Sequence, residues 1–446
     1  MFGAQRFLLV GQVIVDVTLL RPRSENKLRL GGIMHAARAM WSFDLDYSIA
    51  FASPTYLAPL IETFASKHAA RSVTCFGEVD GSPSVILIPE PTEAGAQGYE
   101  FLLRDSVSLR ERTKELAKLA KDPSITDILV FPGGFDLAST LATLGASTAQ
   151  VSIDVAYDVG DIEVCRALGR EFDVVFTSTS SDLFLRHCGG DAQRLANTLL
   201  RGIGKTAILK ENRGGSRLLS VTGASFEVGA QVRPIVHSVG VGDCFDVAYC
   251  ALKMHHGEKS ALAYASFVAA EYASTTYPED FKTAVGRILR IPADNVRTME
   301  GIRVPWEDRN SIHVYVAGPD FDYVDRTPIE AISSALKYHN FVPRRPVAEH
   351  GQIIDSASKA KRRDTFNRDM EMLEDCQILL AVILNNDPGT LLEIGLASAK
   401  GKPVIVYDPR GIAKNLILQE LPRAVAHTLD EAIAAVFEAA AAVLNQ

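Results

Sequence analysis

The sequence predicts an α/β protein of two domains in series, and three observations carry that prediction. Short β-branched runs alternate with Leu/Ala-rich amphipathic stretches over most of the chain. A polar segment with two prolines and no strong period, "RIPADNVRTMEGIRVPWEDRN", interrupts the alternation. A second α/β series then begins at "SIHVYVAGP". The expected organisation is a first domain over 1–295, a linker over 296–310 and a second domain over 311–446.

In the first series the runs "RFLLVGQVIV", "SVILIPEP", "DILVFPGG", "AQVSIDVA", "FDVVFTS" and "KTAILKE" read as strands. The pattern is more strand-rich between about 45 and 105, which suggests a small accessory sheet. In the second series, "CQILLAVILNN" and "KPVIVYDP" read as buried parallel strands. "RGIGKT" ends like a phosphate loop, but Leu199 stands where that loop requires its first glycine, so it is set aside.

The chain has 446 residues, enough for two or three domains of ~100–200 residues. Its 47% hydrophobic and 22% charged content is that of an ordinary globular protein. A net charge of -8 argues against nucleic acid or an anionic membrane as partner. Small phosphorylated ligands stay possible, because local loops bind them. Six cysteines without CxxC or zinc spacing read as reduced, buried thiols. The run "FLLVGQVIVDV" is interrupted by Gln12 and Asp16, is too short to span a bilayer and precedes no cleavage site. A cytoplasmic location is expected.

In "HSVGVGDCFD" (237–246), Gly240 and Gly242 let backbone amides converge ahead of a helical stretch. Such amides, with that of Val241, form an anion hole for a phosphoryl group. Asp243 in the first turn would accept a hydroxyl proton as the oxygen attacks phosphorus, with the helix dipole lowering its pKa. An Asp capping a helix after a glycine turn explains the same residues equally well.

Other segments add context. "GQVIVD", "GGIMHAARAMWSF", "ILKENRGGS" and "ALAYASFVAAEYAS" fall in the order shown by the ribokinase/PfkB family of sugar and nucleoside kinases, which residues 5–295 resemble. The resemblance implies a ribokinase-like α/β/α sandwich with a small β-lid, ATP as phosphoryl donor, and Mg2+. By position it makes Asp243 the base and assigns Asp16, Gly31, Gly32 and His35 to the substrate and Asn212 and Gly215 to the nucleotide. Departures stand beside it. His237-Ser238 replace the usual Asp-Thr, His35 an Asn and Asn212 a Gly. "STSSD" (178–182) lies where the family's Asn-x-x-Glu, tied to magnesium and phosphate, is expected, which leaves the metal ligands unassigned.

In the second domain, "NNDPGTLLEIGLASAKGKPVIVY" (385–407) carries the chemistry. Asn386 or Asp387 suits a helix cap, Pro388 the first turn, and Lys400 and Gly401 the end. Glu393 would lie within two turns of the N-terminus, at the strand ends where α/β ligands bind. A carboxylate there can attack an anomeric carbon and form a covalent glycosyl intermediate. A capping Asp and a surface Glu account for the same pattern.

"YVAGPDF", "NRDMEML" and "DPGTLLEIG" resemble, in order and spacing, the nucleoside 2-deoxyribosyltransferase family over residues 311–425. The resemblance implies a smaller, doubly wound, flavodoxin-like α/β layer, commonly oligomeric and without a cofactor. Carried over by position, Glu393 is the nucleophile, Asp387 and Asp369 hold sugar hydroxyls and assist at the base, and Tyr315 lies at the pocket floor. Gly318 and Gly389 fall within the same nucleoside-binding motifs. A relative that hydrolyses deoxynucleoside 5′-monophosphates has Ser six residues before its Glu. Asp387 stands there in this chain, and a carboxylate accepts from a 5′-hydroxyl but repels a phosphate. Lys402, Arg345 and Arg368 are the cations that could offset that repulsion. The stretch "HNFVPRRPVAEHGQIID" (339–355) reads as a mobile loop near the mouth, where His350 with Gly351 either touches the base or, more commonly for such a loop, is solvated, and where Arg344-Arg345 is more often surface charge than a phosphate clamp.

The expected function is therefore a bifunctional enzyme of nucleoside or pentose metabolism, cleaving or exchanging an N-glycosidic bond and phosphorylating a sugar or nucleoside hydroxyl. The alternative is a glycosidase or transferase whose kinase-like domain only binds a nucleoside or nucleotide and regulates it. A homo-oligomer is expected.

Overall fold

A computed structural model describes residues 5–19, 27–80, 85–88, 100–102, 108–353 and 356–445. The chain divides into two compact units, Met1–Gly301 and Ile302–Gln446. The division falls inside the expected 296–310 segment, which is itself folded. Val296 is buried in the core of the first unit, and Trp306 and Arg309 are buried in the second.

One long strand organises the first unit. The first half of β1 (Arg6–Thr18) lies in the main sheet, and its second half crosses into a small lid with β2 (Lys27–Gly32). The remaining strands are β3 (Asp46–Pro54), β4 (Ser72–Asp80), β5 (Val85–Ile88), β6 (Glu100–Leu102), β7 (Ser108–Glu111), β8 (Asp127–Phe131), β9 (Gln150–Asp154), β10 (Phe172–Ser178), β11 (Gly204–Lys210), β12 (Ser216–Ser220) and β13 (Gly223–Val228). The main order is β13-β12-β11-β10-β9-β8-β1-β3-β4-β7, with β2, β5 and β6 forming the lid with β1. The strand-rich 45–105 region thus supplies two lid strands, while β3 and β4 join the main sheet.

β1 pairs in parallel with both β3 and β8, so the strand order reverses at this point and opens a crevice beyond the strand ends. Helices Val241–His256 and Glu258–Ala273 cover one face. Their buried Ala248, Ala251, Ala261 and Ala265 let the two backbones approach closely.

The second unit is a five-stranded parallel sheet among the described residues. Its strands are β14 (His313–Ala317), β15 (Val342–Arg344), β16 (Ile378–Val382), β17 (Val404–Tyr407) and β18 (Ala424–Ala426), in the order β15-β14-β16-β17-β18. That is the 2-1-3-4-5 order of flavodoxin-like folds, with its crevice between β14 and β16. Residues 339–353, the described part of that stretch, are not a single mobile loop. They contain β15 and the helix Pro346–His350, because Arg344 pairs with Glu349 and closes the turn.

No helix of the described residues is long and apolar enough to cross a membrane. In the second unit the guanidinium of Arg309 is fully buried, donates from Nε to Val304 O at 2.9 Å and lies 5.0 Å from the Phe437 ring. Arg309→Met should lower the stability of this unit by about 1–3 kcal/mol, since a buried carbonyl loses its donor. Denaturant unfolding followed by circular dichroism checks this.

Candidate active sites

In the second unit the loop after β16 enters helix Pro388–Ala399 through Asp387, whose Oδ2 accepts from Thr390 N (2.7 Å) and Thr390 Oγ1 (2.8 Å). Proline in the first turn and this cap fix the helix start beside the crevice. A side chain at Gly389 would meet Asp387 Oδ2 at 3.1 Å, and one at Gly318 would meet Ile329 at 3.0 Å. Both glycines keep the crevice walls close.

Glu393 projects from this helix, half-buried, and its Oε1 accepts from the Tyr315 hydroxyl of β14 at 2.6 Å. Burial raises the Glu393 pKa to about 7 against the opposing Tyr315 hydrogen bond, and the charges of Asp369 and Asp387 add to the rise. Tyr315 is pushed far above the ordinary phenol range by its own burial and by Glu393. Asp369, on helix Lys359–Asp375, therefore shares the electrostatic field of the nucleophile candidate.

Three features here escaped sequence reasoning. His350 is 15% exposed rather than solvated, and its Nδ1 lies 2.7 Å from Asp369 Oδ1. Arg345 is no surface charge: its guanidinium forms a two-pronged pair with buried Asp320, at 2.9 and 2.8 Å. The other two cations considered against phosphate repulsion are also engaged. Lys402 donates to the carbonyls of Glu374 and Cys376, and Arg368 pairs with Asp364.

In the first unit, Gly240 adopts φ 76° and caps helix Val241–His256 without a side-chain partner. A side chain on Gly240 would strike His35 Cγ at 2.1 Å. The turn therefore needs glycine twice over, for its left-handed backbone and for the ring beneath it. Val241, Gly242 and Asp243 form the first turn of the helix.

Asp243 departs from expectation. Its pKa is raised to about 7, by burial first and then by Asp154, with Lys210 opposing. Loss of solvation and a neighbouring carboxylate outweigh the helix dipole, whose effect is typically ~0.3–1 kcal/mol. Lys210, at the end of β11, is the unforeseen residue. Its Nζ lies 2.8 Å from Asp154 Oδ2 and 2.9 Å from both oxygens of buried Asp246. A Cβ on Gly242 would be 3.3 Å from that ammonium, which places the cation at the glycine turn. Burial disfavours the Lys210 charge, but Asp154 and Asp246 outweigh it and hold the pKa above its usual value.

Asp16 is 1% exposed; its Oδ2 accepts from His35 Nε2 at 2.9 Å and lies 3.5 Å from Arg29 Nε. Its Oδ1 has no hydrogen-bond partner and lies under Gly31, where any Cβ would come within 2.1 Å. Gly32, at φ 60°, passes so close to Gln12 O that a Cβ would meet it at 2.2 Å. Burial drives the His35 pKa down to about 4 despite Asp16, so the ring is neutral. Its Nδ1 lies 2.6 Å from the Tyr272 hydroxyl. Asn212 takes φ 54° in the turn after β11, and Gly215 is required by Val228 O, 2.2 Å from where its Cβ would sit.

Magnesium does not fit the donors present. Asp154 and Asp246 are committed to Lys210, and Asp182 is 63% exposed and paired with Arg186. Among the described residues, no group of three or more His, Cys, Asp or Glu could hold a metal ion.

Comparison with known proteins bears on both units. Residues 314–420 match the family model for nucleoside 2-deoxyribosyltransferase. No curated protein sequence matches the chain. Fructokinase from Vibrio cholerae O395, solved with fructose, ADP and calcium, covers 65% of this chain and 100% of its own at 13% identity, with a TM-score of 0.51. Phosphofructokinase-2 from Escherichia coli with potassium covers 64% and 100% at 12% identity and a TM-score of 0.48. The fructokinase likeness shows the ribokinase-like fold of the N-terminal part. The chain thus joins a ribokinase-like fold to a segment that matches the nucleoside 2-deoxyribosyltransferase family model.

The raised pKa of Glu393 sets the sign of a stability effect. The folded chain binds the proton more tightly than the unfolded chain, so Glu393 contributes stability at low pH that is lost as pH rises through about 7. Glu393→Gln should therefore melt higher than wild type at pH 8 and close to it at pH 4.5, as read by paired thermal melts.

Proposed function

We propose that the second unit cleaves or exchanges the N-glycosidic bond of a nucleoside through Glu393. The hydrogen bond from Tyr315 to Glu393, at the β14/β16 crevice, is the observation that carries this reading. Glu393 attacks the anomeric carbon, the bond to the base breaks, and its electron pair leaves with the base. Water or a second base then releases the sugar from the glutamyl ester. Tyr315 keeps the carboxylate oriented, while Asp387 Oδ1 and Asp369 face sugar hydroxyls. A free 5′-hydroxyl fits better than a 5′-phosphate, because Lys402, Arg345 and Arg368 all have other partners.

For the first unit the proposed activity is transfer of a phosphoryl group from ATP to a sugar or nucleoside hydroxyl. Asp243 takes the hydroxyl proton as the new O–P bond forms and the bond to ADP breaks. A pKa of about 7 suits a base working near neutrality. The Gly240–Gly242 amides and Lys210 face the negative charge that develops. No step is assigned to a protein-held magnesium ion. A second reading, binding without transfer, is favoured by the burial of Asp16, whose Oδ2 is already engaged by His35 and Arg29.

A homo-oligomer is part of the proposal, since Leu392, Leu416 and Ile417 of the second unit are 68%, 70% and 65% exposed.

A nucleoside panel with and without ATP, followed by chromatography of base, exchanged nucleoside and ADP, tests both units. Glu393→Ala should lower base release on the order of 10³-fold or more, while Asp243→Ala leaves it intact. Tyr315→Phe should cost about 10- to 100-fold, the worth of one hydrogen bond to a charged group. Base release should rise with pH through about 7, as Glu393 ionises. ADP formation that persists in Asp243→Ala would remove the base assigned here. No ADP with any acceptor, together with ATP-dependent changes in cleavage, would establish the second reading.

A further inference from the structure

Behind the Asp16–His35 pair the first unit contains a pocket of about 480 Å³, within the range of small-molecule sites. Its wall is made by the lid strand β2, helix Met34–Ser42, helix Ala58–Lys67 and the segment after helix Glu258–Ala273. Neither Asp243 nor the glycine turn borders it. Its chemistry is uneven. Two guanidiniums, Arg29 and Arg38, face it, and no carboxylate is among the residues that line it. Arg29 Nε is buried without a hydrogen-bond partner. Arg38 uses NH2 on Leu30 O at 2.9 Å, and its NH1 lies 3.4 Å from His35 Nδ1.

Asp16, the nearest counter-charge, is shared with His35, pairs with Arg29 at 3.5 Å and acts on Arg38 from farther off. His35 and His237, which also face Arg29, are held neutral by burial, with pKa values near 4 and 3. Glu279 acts on His68 from outside the lining. The lining itself thus carries two guanidiniums and no carboxylate, with Asp16 and Glu279 acting on it from behind. The rest of the lining mixes aromatic and apolar side chains with the hydroxyls of Tyr272, Thr275, Thr276 and Tyr277. The Phe64 and His68 rings stack 3.9 Å apart, Arg38 lies 5.0 Å from the Phe64 ring, and Pro278 and Phe281 complete the surface.

We propose that this pocket binds a small phosphomonoester carrying a planar ring, of the nucleoside monophosphate class. Its phosphate lies between Arg29 and Arg38, and its ring packs against the Phe64 wall. The planar fork of each guanidinium matches phosphate oxygens, and the aromatic side chains of the lining, Phe64, Tyr277 and Phe281 among them, offer apolar contact to a ring. This site goes beyond the two reactions proposed above and does not depend on either. Because Arg29 and Arg38 also contact Asp16 and His35, an occupant competes for the groups that engage Asp16.

Isothermal titration of the full-length chain with AMP and with adenosine, at fixed ionic strength, tests the assignment. AMP should bind at least ten-fold more tightly than adenosine. Arg38→Met and Arg29→Met should each weaken AMP at least ten-fold and change adenosine less than two-fold. Arg38→Lys, which keeps the charge but not the fork, should retain part of the AMP affinity and covers the case in which Arg38→Met fails to fold. Equal affinity for AMP and adenosine would overturn the proposal, and so would AMP affinity unchanged in both arginine variants. Base release and ADP formation are separate readouts, so their failure leaves this result interpretable.

Discussion

The 2.6 Å hydrogen bond from Tyr315 to Glu393 states the constraint under which both units are built: a carboxylate is held at the end of a parallel sheet, where water cannot fully solvate it. One hydroxyl donor does not compensate for that loss, so the acid settles at a pKa of about 7. The surrounding layout limits further cost. Asp387 spends one oxygen on the helix N-terminus, and Asp369 is tied to His350. Glu393 can then share the crevice with two other carboxylates because it is itself largely protonated below neutrality.

The first unit meets the same constraint with cations. Lys210 pairs with Asp154 and Asp246, and Arg29 and His35 attend Asp16, while burial and Asp154 outweigh Lys210 at Asp243, which rises to about 7. A lysine at the glycine turn changes the character of the site. Its positive charge stands beside the helix N-terminus but is already engaged by Asp154 and Asp246.

Much of the local structure was legible in the sequence because it depends on neighbours along the chain. Pro388 after Asp387 specifies a capped helix start, and Lys400 stands at its end. The glycines of "VGVGD" specify a turn into a helix, and the polar segment before residue 311 marks the division between units. What escaped depends on partners distant in sequence. Lys210 meets Asp154 and Asp246 across 56 and 36 positions, and Arg345 meets Asp320 across 25. Periodicity carries no information about such distances. The expected low pKa of Asp243 failed for the same reason, since the dipole was visible in the helix start and the burial was not.

The central claim is that Glu393 becomes covalently bound to sugar, and mass spectrometry tests it most directly. A 2′-deoxy-2′-fluoro nucleoside slows release of a glycosyl intermediate, because fluorine disfavours the positive charge that develops at the anomeric carbon. Incubation followed by intact-mass measurement and peptide mapping should show one fluoropentosyl group, located on Glu393 and absent from Glu393→Gln. Turnover of the ordinary nucleoside with no adduct, or an adduct on another residue, would contradict the account.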